Sequence, residues 1–353
     1  MSKLLSMREA IADLVPDGAS VALGLQMEQM IPFAAGQEII RQKKKNLTLI
    51  GPISDILFDQ LIGAGCVEKI IAAWVGNVMM GSAYNFRRAV EQDGMKVINM
   101  TNFSVALALQ AGAMGVPFLP TRTALGSDTT RDNEFFAEIE SPFEPDHLCG
   151  DGRPSKPALS KASQFDDLCG DGRPGKPALS EVEGSRPSEA RQLDSAPERL
   201  YAVKALTPDV TIVHVQRANR DGNSHCWGNF GVMIEGVRAA KRVIVAAEEI
   251  VEPEVIASDP NRTVIPGFLV NAVVECPYGA HPSPVQGYYK RDDAFFRQYH
   301  EQTKTKEDNA AWLNRWVHGL ADCRAYMNQL GACRVDELGV KQHAYAAQAD
   351  FGY

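Results

Sequence analysis

Four polar residues, Asn99, Thr101, Asn102 and Ser104, open an almost chargeless stretch, NMTNFSVALALQAGAMGVPFLP, over 99–120. Hydroxyls and amides in that setting have three readings. They cap a buried helix, or they mark a strand-to-helix junction that holds the Asn102 amide where a substrate sits, or the stretch crosses a membrane. The membrane reading fails, because Gln110, Gly112, Gly115, Pro117 and Pro120 interrupt a run that would need about 18 apolar residues. A helix ending near Gly115 is expected instead. Other apolar runs also stop in small or polar residues: SVALG in Leu25-Gln26, AAWVG in Asn77, and VVECP in YGAHP, which carries His281. His214 lies inside a β-type run and reads as a hydrogen-bonded core histidine. His281 follows a run and is the histidine open to a functional role.

Several chemistries lack their residues. Seven cysteines form no framework spacing and no C-x-x-C, so neither a metal site nor a disulfide scaffold is expected. No G-x-G-x-x-G follows a strand, and no G-x-x-x-x-G-K-[ST] or G-x-S-x-G occurs, which removes nicotinamide, P-loop and serine-hydrolase readings. A net charge of −8 argues against a nucleic-acid partner. The N-terminus, with Glu9 and Asp13, has no signal-peptide character, and Leu5, Ile11 and Leu14 suit a short amphipathic helix. A cytoplasmic protein with reduced thiols is expected.

The elements that must hold these residues are short β-rich runs alternating with helical patterns: 20–25, 47–52, 69–76, 96–100, 209–216, 242–251 and 269–276. Near-continuous Val, Ile, Ala and Leu implies strands covered on both faces. The fold class expected is therefore α/β, an open, mostly parallel, doubly wound sheet with flanking helices. In such sheets ligands bind beyond the carboxyl ends of the strands, where the polar tips lie.

Residues 146–160 and 166–180 match at 13 of 15 positions. Two copies rich in Gly, Pro and charge cannot stack as a solenoid or bury a core. The domain reading is one α/β domain over 1–145 plus 198–335, an inserted disordered repeat-containing loop over 146–197, and a C-terminal tail over 336–353. Lengthening a loop to some fifty residues costs roughly 2–3 kcal/mol of closure entropy, which a domain stable by about 5–15 kcal/mol tolerates.

These junctions resemble the family I CoA-transferases, specifically the α chain of the glutaconate CoA-transferase type. DGASVALGLQMEQMIP supplies Asp17, Gly18, Val21-Ala22-Leu23, Gly24 and Pro32 in register with the first family signature, departing at Leu25, Gln26 and Met30. GVPFLPTR, DVTIVHVQRANRDGN, AAEEIV, IPGFLVNAVV and PYGAHPS follow in family order. AAWVGN is similar to the S-Y-V-G-E-N segment of the 3-oxoacid branch, which implies that Val75, Gly76 and Asn77 line the active-site rim. The opening stretch is similar to that branch's T-P-Q-G-T-L-A junction, where a glutamine amide faces the reacting acyl group, and Asn102 takes its register. A related ring-opening complex carries a glutamate there, a role Asn102 cannot fill.

The resemblance implies a mechanism in which a glutamate attacks an acyl-CoA, passes through an anhydride and becomes a glutamyl-CoA thioester, from which an acceptor carboxylate takes CoA. That glutamate belongs to the β chain, in a motif near E-x-G-x-x-G that this chain lacks at a strand end. The expectation is a heteromer with a CoA-transferase β subunit, in which this α chain is active only when paired. Asn102 is then catalytic, and Gly24, Leu25, Gln26, Val75, Gly76, Asn77 and His281 bind substrate or CoA. Acyl-CoA and carboxylic acids are the substrates, and no bound cofactor or metal is expected. The rival readings are a CoA-thioester hydrolase or ring-opening enzyme on the same scaffold, and a non-catalytic acyl-CoA-binding partner subunit.

Overall fold

The computed structural model describes residues 2–81, 83–143 and 198–340. The insert expected over 146–197 and the last residues of the expected tail, 341–353, lie outside them. The chain divides into two compact units, Met1–Ala137 with Tyr201–Tyr353, and Glu138–Leu200.

In chain order the elements begin with α1 (Met7–Leu14), β1 (Ser20–Ala22), α2 (Phe33–Arg41), β2 (Leu47–Ile53), α3 (Asp55–Gly63), β3 (Val67–Trp74), α4 (Tyr84–Glu91), β4 (Lys96–Asn99) and α5 (Asn102–Met114). Then come β5 (Phe118–Thr121), β6 (Phe136–Glu140), β7 (Arg199–Lys204), β8 (Val210–Ala218), β9 (Ser224–His225), α6 (Met233–Ala239), β10 (Arg242–Ile250), α7 (Pro253–Ala257), β11 (Thr263–Ile265) and β12 (Ala272–Glu275). The described chain closes with α8 (Asp293–Glu301), α9 (Lys306–Leu313), α10 (Cys323–Leu330) and α11 (Ala332–Leu338). Helix α11 runs through the expected boundary at residue 335 because Leu338 is buried, 2% exposed.

Seven strands pair in parallel in the order β4-β3-β2-β1-β8-β10-β12. They are the seven apolar runs read from the sequence. Side chains alternate between the sheet's two faces, so each strand serves two cores. Along β10, Ile244 and Ala246 join the core containing Ile11, Phe33 and Leu57 of α1, α2 and α3. Val243, Val245 and Ala247 join the opposite core, with Val105 and Leu109 of α5 and Met233 and Val237 of α6. Two antiparallel strands, β9 and β11, extend the end of β8. A separate three-stranded sheet has the order β5-β7-β6, with β5 antiparallel to β7. Within the second unit, Arg199 Nη1 lies 3.2 Å from Glu138 Oε1, and Ser141 N–H donates to Glu198 O at 2.7 Å.

Helix α5 answers the question of the chargeless stretch. Thr101 is its N-cap, its hydroxyl accepting from Ser104 N–H at 3.0 Å, and Gly115 ends it in the left-handed region at φ 70°. Its small face packs closely, since a Cβ at Gly112 would overlap Leu206 O. Among the described residues no helix is long and apolar enough to cross a membrane.

Candidate functional site

From β1 the chain moves outward through β2, β3 and β4, then returns to the other side of β1 as β8. The β1/β8 boundary is therefore the topological switch point, and the crevice of such a sheet opens beyond the strand ends there. The loops after β1, β2 and β3, with segments 226–232 and 283–291, meet at this edge.

The loop after β1 needs glycine at its start. Gly24 has φ 65°, and a Cβ there would lie 2.6 Å from Ser54 Oγ in the turn after β2. Leu25 is buried, and its carbonyl accepts from Val232 N–H at 2.8 Å. Gln26 is 2% exposed, and its Nε2 points at two sulfurs, Cys226 Sγ at 3.4 Å and Met30 Sδ at 3.7 Å. Both are weak acceptors, so the amide donor is poorly satisfied at the switch point. Burial pushes the Cys226 thiol up to about 12, keeping it neutral beside Gln26.

The loop after β3 is tightly self-bonded. Asn77 is buried, its Nδ2 donating to Phe296 O at 2.8 Å while its Oδ1 accepts from Met79 and Met80 N–H at 3.0 and 3.1 Å. Gly76 is buried against the Trp74 ring, and Val75 packs partly buried on the first core. The Asn77 side chain therefore shapes this loop, with its hydrogen bonds already committed. Arg291 ties the loop to its neighbour: Nη1 donates to Glu28 Oε2 at 3.0 Å, and Nη2 lies 3.4 Å from Met79 Sδ. Ser283 Oγ donates to Glu28 O at 2.6 Å.

Asn102 is separate from this group. It is the exposed first residue of α5, beyond the end of β4. Three strand spacings, about 14 Å, separate β4 from β1. Its side chain has no intramolecular hydrogen bond among the described residues, and Thr101 performs the capping.

His281 is 1% exposed and fully engaged. Burial holds its pKa down, so the ring is neutral; Nε2–H donates to Asp292 Oδ2 at 3.1 Å, and Tyr326 OH donates to Nδ1 at 2.8 Å. No donor or acceptor of this ring is left for a ligand. Burial opposes ionisation of Asp292, yet hydrogen bonds from His281, Arg334 and Phe295 N–H hold its carboxyl well below the usual range. Its stabilising effect is therefore fully present above the ordinary aspartate value and lost as pH falls. Asp292→Asn is expected to lower Tm at neutral pH, with the gap to the wild type narrowing progressively as pH falls below the ordinary aspartate value. A gap independent of pH in thermal melts would contradict this.

Sequence reasoning missed Asp55, Glu28 and Arg291. Asp55 reads as an ordinary acid in a helix's first turn, but it is 0% exposed, and burial raises its carboxyl to about 7. His214, read as a core histidine, is buried with Nε2 2.6 Å from Glu248 Oε1. Among the described residues no group of three or more His, Cys, Asp or Glu is placed to hold a metal ion.

The coenzyme A transferase family model matches residues 4–276. The chain is 33% identical over 325 residues to the A-type chain of 3-oxoadipate CoA-transferase from Pseudomonas knackmussii, covering 91% of this chain and 96% of the relative. It is 32% identical to the A-type chain of glutaconate CoA-transferase from Acidaminococcus fermentans, covering 96% and 95%. The crystal structure of that glutaconate enzyme superposes with a TM-score of 0.79 at 30% identity, covering 97% of both chains. A more distant relative, 26% identical over 91% of this chain and 93% of its own, is the IpdA chain of the cholesterol ring-cleaving hydrolase of Rhodococcus jostii. With its parallel sheet and a family match that spans the strands of that sheet, this chain belongs to the coenzyme A transferase family.

Proposed function

We propose that this chain is the A-type half of a heteromeric CoA-transferase, moving CoA from an acyl-CoA to a carboxylic acid, with the nucleophilic glutamate on a partner B-type chain. The observation that carries the reading is an edge that offers a donor and apolar cover but little free nucleophile. Asn102 is exposed beyond the end of β4, and Trp74, Met80 and Phe103 are exposed at 36%, 40% and 51%. Large apolar side chains left exposed suit a partner that covers them. Glu28 is paired with Arg291, and Glu248 is buried against His214, Tyr289 and Tyr278. In the proposed reaction the partner's glutamate displaces CoA thiolate from the acyl group, forming an anhydride. The thiolate then attacks the glutamyl carbonyl and releases the first acid. Asn102 donates to the oxyanion as it develops, aided by the positive end of α5. Gln26 and the loop of Val75, Gly76 and Asn77 shape the acyl and CoA pocket.

Mixed with its partner, the chain is expected to move CoA from an acyl-CoA to acetate or succinate, with no product from either chain alone. Transfer by this chain alone would overturn the division of labour. The hydrolase relative favours a second reading, in which free CoA and acid form without an acceptor. Omitting the acceptor carboxylate separates the two.

A further inference from the structure

We propose that Asp55 is a positioning residue whose carboxyl group fastens the loop after β3 to the turn after β2, setting the rim of the crevice for CoA transfer. The role in transfer rests on the function proposed above; the contact itself does not. Asp55 opens α3, one residue past the end of β2, and has φ 48°, a left-handed conformation that costs a residue with a Cβ about 1 kcal/mol or more. It is wholly buried. Its Oδ1 accepts from its neighbour Ile56 N–H at 2.9 Å and, across to the next loop, from Val78 N–H at 3.1 Å. Oδ2 is buried with no partner. A strained backbone, a buried carboxyl and an orphan oxygen are three unfavourable features at one residue, and such features persist where surrounding structure holds a functional geometry.

What Asp55 holds is the segment carrying Val75, Gly76 and Asn77. Asn77 folds this loop upon itself and ties it to Phe296 O on α8, while Val78 N–H ties it to the turn after β2. The charged groups facing Asp55 are Arg291, from the segment before α8, and Glu28, from the loop after β1. Since Arg291 reaches both Glu28 and Met79, Asp55 sits where the loops after β1, β2 and β3 meet. Because burial penalises the ionised carboxyl, its ionisation subtracts stability as pH rises from the ordinary aspartate value to about 7. Asp55→Asn keeps an Oδ1 acceptor and removes the charge, so its Tm at alkaline pH should equal or exceed that of the wild type.

The test uses the full chain and its complex. Asp55→Ala removes the acceptor; Asp55→Gly does so while suiting the left-handed backbone, which guards against misfolding. Both are expected to raise amide hydrogen exchange across residues 75–81 at least about tenfold in the chain alone. In the complex both should lower kcat at least about tenfold, and Asp55→Asn should restore exchange and kcat to near the wild type. Wild-type exchange in Asp55→Ala and Asp55→Gly would overturn the proposal, as would an Asn variant as slow as Ala. Raised exchange with unchanged kcat would overturn the loop's role in transfer. If the wild-type complex moves no CoA, the functional reading fails, and exchange alone decides whether Asp55 holds the loop.

Discussion

Asn102→Ala, assembled with the B-type partner, is expected to transfer CoA at least about tenfold more slowly than the wild type, and as much as about 10²–10³-fold if its amide is a full oxyanion donor. The structure makes this a clean substitution. Were Asn102 the helix cap, its loss would weaken α5, but Thr101 accepts from Ser104 N–H and does that work. The Asn102 side chain is exposed, so its removal leaves no cavity and no buried orphan. Alanine is also the better helix former by about 0.5 kcal/mol, so Tm should hold or rise slightly. Asn102→Asp should be slower still, because it removes the donor and sets a negative charge against a developing oxyanion. The readouts are kcat in the reconstituted complex, Tm, and complex mass by light scattering. Unchanged turnover would remove Asn102 from the mechanism.

Glu248→Ala is expected to lower unfolding free energy by about 3–5 kcal/mol, because three donors lose their acceptor at about 1–3 kcal/mol for each one left buried. Glu248 is 5% exposed near the end of β10. Its Oε1 accepts from His214 Nε2–H on β8 at 2.6 Å and from Tyr289 OH at 2.8 Å, and its Oε2 accepts from Tyr278 N–H at 2.8 Å. His214 Nδ1 has no partner, so Nε2 carries the proton that an acceptor-only carboxylate requires. The residue thus binds two central strands to the segment after β12, where the Tyr278 and Tyr289 rings stack at 4.3 Å. Alanine would take the acceptor from three donors at once, two of them fully buried. Glu248→Gln, which keeps one acceptor oxygen, should fall between. Urea denaturation followed by circular dichroism provides the measurement, and a loss below about 1 kcal/mol for Glu248→Ala would refute this account.

Much of the scaffold was legible in the sequence. All seven parallel strands read as apolar runs, because a strand buried on both faces has no polar face to alternate with. The ends of α5 were legible too, since a threonine cap and a terminal glycine act on backbone only a few residues away. The strands β5, β6, β7, β9 and β11 were not identified; Phe118–Thr121 and Phe136–Glu140 are short, partly exposed and broken by proline or charge. They become strands only because neighbouring strands complete their hydrogen bonds.

The candidate site divides in the same way. Gln26 and Asn102 stand out in the sequence as candidates because a polar residue at the end of an apolar run is visible in one dimension. Whether such a residue remains available is not. Asn77 is consumed by Phe296, 219 residues away, and His281 by Tyr326, 45 residues away. Asp55 gains its loop through Val78, 23 residues on, and its raised pKa through burial where segments distant along the chain, carrying Glu28 and Arg291, come together. By itself the sequence determined which segments must be strands, where the polar tips fall and which family the chain resembles, because burial and capping act over a few residues. Only the tertiary structure decided which tips stay open and which are spent on the fold, because hydrogen bonds and desolvation depend on what lies nearby in space, whatever its distance along the chain.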